Sequence, residues 1–194
     1  MIKEDVLIGV FGLIFIFSLI MFVSQSAKMT GYATSATTIS NVTITTYFSI
    51  AMCTNLSGGI MFGSVASLPA TDQNASHNYD GVNTTPPSPG TSMCMNVSTD
   101  SNTAVNFCVN GSAALTSSGG DTIGLGNETY ANNTVTNSTL PALGSQVALT
   151  TSYVASGYNI TQGNSNYYRF WLDIPAATPA GTYNNTVAFI YLHY

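Results

Sequence analysis

Reactive chemistry in this chain is available at asparagine and at sulfur, and hardly anywhere else. Asn-x-Ser/Thr triplets, the acceptor pattern for N-linked sugar, occur at Asn41, Asn55, Asn74, Asn83, Asn96, Asn110, Asn127, Asn132, Asn137, Asn159 and Asn184. Abundant Asn, Ser and Thr account for part of that number, so the excess speaks for the set and not for any one site. Asn127, Asn132 and Asn137 crowd into one segment, read as a sugar-dense loop. Asn96 falls inside an expected strand, where a packed face would leave it unmodified.

Three cysteines are present, Cys53, Cys94 and Cys108. The strand-like runs 92–98 and 104–110 flank a polar loop, Thr99–Thr103. A symmetric hairpin centred on Ser101 sets Ser98 against Ala104, Asn96 against Asn106 and Cys94 against Cys108. Directly opposed residues of an antiparallel pair lie about 4.5–5.5 Å apart at Cα, inside the range of about 4.4–6.8 Å that disulfides use. This register predicts a Cys94–Cys108 bridge. Cys53 is then a buried small apolar residue or a link between two chains. Pairing of Cys53 with either of the others would remove the hairpin register.

Other chemistries lack their residues. The carboxylates past residue 40 are Asp72, Asp80, Asp100, Asp121, Glu128 and Asp173, and the first four sit in turn sequences, where Asp bends and caps the backbone. No GxSxG, HExxH or P-loop pattern occurs, and no catalytic residue is expected. His77 and His193 stand far from the cysteines and no CxxC is present, which argues against zinc. Asp72, Asn74, Asn78, Asp80 and Asn83 could offer oxygens to calcium, but their spacing fits no known loop and a closing bidentate Glu is missing. Turn chemistry is the better reading there and over Asp121–Glu128. The expected cofactor set is none beyond covalent N-glycans.

Charge excludes a further class. Only 6% of residues are charged, against about a quarter in ordinary domains. Lys3, Lys28 and Arg169 are the only Lys and Arg residues, too few to replace counterions on a nucleic-acid backbone. A surface so poor in charge aggregates unless sugar solvates it or copies of the chain cover it.

The elements that would carry these groups divide the chain in three. Residues 6–23 read VLIGVFGLIFIFSLIMFV, with Ser18 the one polar member. At 1.5 Å per residue that run spans about 27 Å, near the thickness of a bilayer's hydrocarbon. Residues 1–28 are therefore a hydrophobic helix, 29–40 a small, polar linker, and 41–194 an extracellular domain. Lys3 and Lys28 flank the apolar run, so the positive-inside rule is nearly silent; the sequons place the C-terminal side outside. The helix is a permanent anchor, a helix that later packs in a filament core, or a cleaved signal ending near Ser24-Gln25-Ser26. Eighteen residues is long for the apolar region of a cleaved signal.

Past residue 40 the period changes to two. Val42, Ile44, Phe48, Ile50 and Met52 predict one long half-buried strand. Shorter ones follow at 60–62, 93–97, 105–109, 147–153 and 168–174, where Tyr167, Arg169 and Trp171 occupy the face opposite Tyr168, Phe170, Leu172 and Ile174. The closing run TVAFIYLHY, residues 186–194, is apolar on both faces; a central strand is expected, or one covered by another subunit. Gly- and Pro-rich turns separate these runs. An antiparallel β-sandwich of Ig-like type follows, with most of the C-terminal aromatics in its core.

A hydrophobic N-terminal helix leading into a charge-poor, Ser/Thr/Asn-rich, sequon-bearing β domain resembles the layout of archaeal type IV pilins and archaellins. Asp5 stands where bacterial-type pilins carry an acidic fifth residue. The likeness covers the whole chain in layout, and its motif-like part is the first 25 residues. One departure matters. The family's precursors carry Lys or Arg followed by Gly or Ala just before the cleavage point, whereas Lys3 is followed by Glu4. Either Met1 is the mature first residue or the chain is not a processed pilin. The resemblance implies a structural, non-enzymatic subunit, inserted in the membrane as a precursor and then polymerised with copies of itself at the cell surface. The alternative is a singly anchored surface glycoprotein of S-layer or adhesin type. Surface glycans are a further candidate partner. Segments such as FWLDIPAATPAGTYNNTV also look like archaeal surface glycoproteins, and Asp173–Tyr183 looks like the turn before the last strand of secreted sandwiches.

Overall fold

The computed structural model describes residues 4–28, 39–78 and 93–192, with the side chains of the first helix described over residues 8–23. It divides into two compact units, Met1–Ile44 and Thr45–Tyr194, a boundary a few residues beyond the one expected at 40/41.

The first unit is built on α1 (Glu4–Lys28), a helix of 25 residues. No Pro interrupts the run, and its Leu and Met residues favour a helix, while its Val, Ile and Phe residues favour it less. Every described side chain of α1 is exposed. Among the described residues no helix is long and apolar enough to cross a membrane.

The second unit is mostly antiparallel β-sheet. Its elements in order are β1 (Ile50–Met52), α2 (Thr54–Ser57), β2 (Ala70–Asn74), β3 (Met93–Val97), β4 (Val105–Gly111), β5 (Leu115–Ser117), β6 (Thr122–Ile123), β7 (Glu128–Asn133), β8 (Val147–Ala148), β9 (Val154–Ile160), β10 (Ser165–Ile174), β11 (Tyr183–Asn184) and β12 (Val187–Leu192). The largest sheet runs β1-β3-β10-β7-β8. Its axis is β10, ten residues long. One edge of β10 takes β3 along Ser165–Tyr168 and β2 along Trp171–Ile174, while β7 follows the other edge. A second sheet has the order β12-β4-β9 and a third β11-β5-β6.

The first two sheets share one core. Met93, Met95, Val97, Tyr130, Tyr168 and Phe170 from the large sheet meet Val105, Phe107, Val109 and Ile160 from the second. These positions alternate along their strands, as a half-buried strand requires. Edge-on ring contacts, such as Tyr168 with Phe189 at 5.1 Å between centroids, favour aromatic packing beyond simple area burial. Leu115, Ile123 and Leu172 form a smaller cluster beneath the third sheet.

Several expectations are corrected. Only residues 50–52 of the long strand expected over 42–52 are strand. Val42 and Ile44 are 81% and 79% exposed, so their alternation has no sheet to serve. Residues 60–62 carry no strand, and the strand expected over 147–153 is reduced to Val147–Ala148. The hairpin centred on Ser101 does not form. β3 pairs with β1 and β10 in one sheet, and β4 pairs with β12 and β9 in another. The loop between them crosses from sheet to sheet. Among the described residues β12 pairs with β4 alone and lies half-buried at the edge of its sheet, so the central placement expected for it fails and cover by another subunit remains the other expectation.

Candidate modification sites

Burial and hydrogen bonding divide the acceptor asparagines. Asn41, Asn132, Asn137, Asn159 and Asn184 are exposed, and Asn55, Asn74, Asn96, Asn110 and Asn127 are half-buried. Asn83 lies outside the described residues. A sugar is joined through the amide nitrogen, so engagement of the carboxamide in the fold opposes modification. Asn110 donates its amide N–H to the Thr151 carbonyl at 3.1 Å. Asn96, on β3, accepts from the Ser165 hydroxyl at 2.7 Å and from the Cys94 thiol at 3.3 Å. Asn137 uses only its side-chain oxygen in its own turn, accepting from the Thr139 and Leu140 N–H groups at 2.9 Å each. Asn159 holds a positive φ of 53°, which Asn tolerates better than most residues. The cluster expected to share one loop is spread over three settings. Asn127 ends a 3-10 turn, Asn132 lies on β7 and Asn137 in the loop after it.

Sulfur is arranged differently from expectation. All three cysteines are present as thiols. On β3 the core takes Met93, Met95 and Val97, which leaves Cys94 on the alternate face. On β4 the core takes Phe107 and Val109, which does the same for Cys108. The two lie in separate sheets, so the Cys94–Cys108 bridge loses the register that predicted it. Cys94 instead meets Cys53. The Cys53 N–H donates to the Cys94 carbonyl at 3.0 Å, and the Cys94 N–H donates to Cys53 Sγ at 2.7 Å. Contact with the Cys94 side chain lowers the pKa of Cys53, against the opposing effect of burial. The same contact, with burial, raises that of Cys94. Burial alone raises the Cys108 thiol.

Searches against protein-family models, curated proteins and solved structures return no match.

The remaining polar groups serve the fold. Asn78, one of the candidate calcium ligands, is fully buried. Its amide donates to the Phe170 carbonyl at 2.6 Å and its oxygen accepts from the Phe170 N–H at 2.9 Å. It continues the ladder of β10 where β2 ends at Asn74. Asp72 accepts from Gln146 at 2.9 Å, and its backbone N–H donates to the Asp173 carboxylate at 2.7 Å. Asp80 and Asn83 lie outside the described residues. Among the described residues no group of three His, Cys, Asp or Glu could hold a metal.

Two groups were not singled out by sequence. Arg169 is 3% exposed and donates to the carbonyls of Pro141 and Asn137, tying down the loop after β7. Glu128, 1% exposed, accepts from the Asn185 amide at 2.7 Å. Burial raises its pKa, and the Asn185 bond opposes this in part. Glu128 lines an apolar groove of about 1110 Å³ together with Ile60, Phe62, Leu172 and Ile174. Tyr183 is the other titratable group among its described lining residues. No local signal marks either residue. Glu128 stands between Asn127 and Thr129 and reads as surface, and Arg169, on the strand face opposite Tyr168 and Phe170, reads as solvent-facing.

Proposed function

We propose that this chain is the structural subunit of an extracellular archaeal filament of type IV pilin-like kind, without enzymatic activity. α1 packs with its equivalents in the filament core, and the β unit, an Ig-like β-sandwich carrying N-linked sugar, forms the outer layer. The observation that carries this reading is the surface of α1. Thirteen large apolar side chains between Ile8 and Val23 are each at least half exposed. Uncovered apolar surface of that extent marks an interface with protein or lipid. At about 1.5–3 kcal/mol for each large apolar side chain buried, covering it is worth on the order of 20 kcal/mol per subunit.

The test is negative-stain microscopy of sheared, detergent-free surface material, with the chain identified by mass spectrometry. Fibres containing the chain are expected, and a Phe15→Asp variant should yield none. Recovery only in detergent, as small particles, would overturn the filament and make the chain a singly anchored envelope glycoprotein. A natural product that begins near residue 25 would remove both readings.

A further inference from the structure

We propose that Cys53 and Cys94 are a disulfide-forming pair, closing a covalent clip between β1 and β3. The register of the two strands carries the inference. Ile50 opposes Val97, Ala51 opposes Asn96 and Met52 opposes Met95. The next step of that countdown sets Cys53 directly against Cys94, and both backbone N–H groups are engaged within that pair. Directly opposed antiparallel residues lie about 4.5–5.5 Å apart at Cα, which a disulfide spans without moving the backbone. Cys108 is out of reach in the second sheet, so the chain holds one competent pair and one remaining thiol.

The environment also distinguishes the two sulfurs. Cys53 is the more exposed of the two, and its contact with the Cys94 side chain holds its thiol below the usual range, so it is the sulfur that begins exchange. The external oxidant is a small dithio compound or a disulfide carrier protein. The Cys53 thiolate attacks one sulfur of that disulfide and expels the other as a thiolate. Cys94 then loses its proton to solvent and attacks the Cys53 sulfur of the mixed disulfide, which releases the second thiolate. Two protein thiols are oxidised, and one external disulfide is reduced to two thiols. Oxidant of this class is abundant outside the reducing cytosol, and that part of the inference rests on the surface-exposed reading above. The clip joins residues 41 positions apart. It fixes the three-residue strand β1, which has β3 as its only strand partner among the described residues.

The test uses the full chain, purified and equilibrated in an oxidised-glutathione redox buffer, alkylated, digested and mapped without reduction. A linked pair of peptides carrying Cys53 and Cys94 is expected, with Cys108 alkylated. Reduction of the bridged chain should lower Tm by about 10 °C, and the Cys53→Ser chain should show no such redox-dependent shift. A Cys94–Cys108 link, or alkylation of both Cys53 and Cys94 in the oxidising buffer, would overturn the pair. The same mapping on native material reports the compartment separately. A bridge in buffer with thiols in native material would uphold the pair and count against the extracellular reading.

Discussion

Asn78 gives the sharpest energetic test of how this sheet is held. β2 stops at Asn74, opposite Trp171, and Ala75 contributes one more bond, its N–H donating to the Phe170 carbonyl at 3.1 Å. The Phe170 N–H then has the Asn78 side-chain oxygen as its acceptor at 2.9 Å. Asn78→Ala leaves that N–H buried without an acceptor, which costs about 1–3 kcal/mol. Its amide also loses bonds to the Phe170 carbonyl at 2.6 Å and to Asn74 at 3.1 Å, at about 0.5–1.5 kcal/mol each. The sum is about 3 kcal/mol, or a fall in Tm of roughly 10 °C for a chain of this size. Asn78→Leu keeps much of the volume and removes the same bonds, so it should cost about as much. The control is Asn102, which makes two bonds of the same kind, to the Thr45 carbonyl at 2.8 Å and from the Tyr47 N–H at 2.7 Å, at an exposed site. Water replaces those partners, so Asn102→Ala should cost less than about 1 kcal/mol. Thermal unfolding of the three variants beside the parent chain reads the difference. Equal losses for Asn78→Ala and Asn102→Ala, or a loss below about 1 kcal/mol for Asn78→Ala, would refute the claim that burial decides the value of these bonds.

Three other outcomes follow from the same geometry. Glu128 is held protonated more readily in the folded state than in the unfolded chain, so the folded state binds more protons. Its contribution is greatest below the unfolded pKa of about 4.3 and is lost as pH rises through the higher folded value; the Tm of the parent should therefore fall relative to Glu128→Gln between about pH 4 and pH 7, and parallel profiles would sink this. Arg169→Met leaves the Pro141 and Asn137 carbonyls without their guanidinium partner. A loss of about 2 kcal/mol is expected, with faster proteolytic cutting between residues 134 and 146 as the local readout. Glycopeptide mapping of native material should find Asn137, Asn159 and Asn184, exposed and with no amide-nitrogen bond among the described residues, occupied more fully than Asn110, whose amide nitrogen donates to the Thr151 carbonyl; the reverse order would contradict that reasoning.

Alternation was legible wherever both sides of a strand differ in polarity. Met93, Met95 and Val97, then Val105, Phe107 and Val109, then Tyr168 and Phe170 all enter the core, as their spacing predicts. β2 (ATDQN) and β7 (ETYANN) carry too few apolar residues to announce a strand. They exist because β10 offers each of them an unpaired edge, and a sheet's pairing energy is not written in the residues of one strand. Val42 and Ile44 show the converse, a strand pattern with no neighbour.

The cysteines show why pairing is harder to read than facing. A loop of five residues between two strands invites a hairpin, since consecutive strands are neighbours more often than not. Here β3 and β4 both present apolar alternate residues, and a core closed by two sheets can be served equally well by placing them in opposite layers. The chain took that course, and β3 found β1 upstream and β10 far downstream, with Asn96 and Ser165 bonded across 69 positions. The same logic bears on charge. Arg169, the one Lys or Arg past residue 28, is buried among carbonyls and gives the surface no cation. The described surface of the β unit thus depends on four carboxylates and on its Asn, Ser and Thr side chains for solvation. Such a surface keeps a protein apart from its neighbours only weakly, which suits a unit that is sugar-coated or packed against copies of itself.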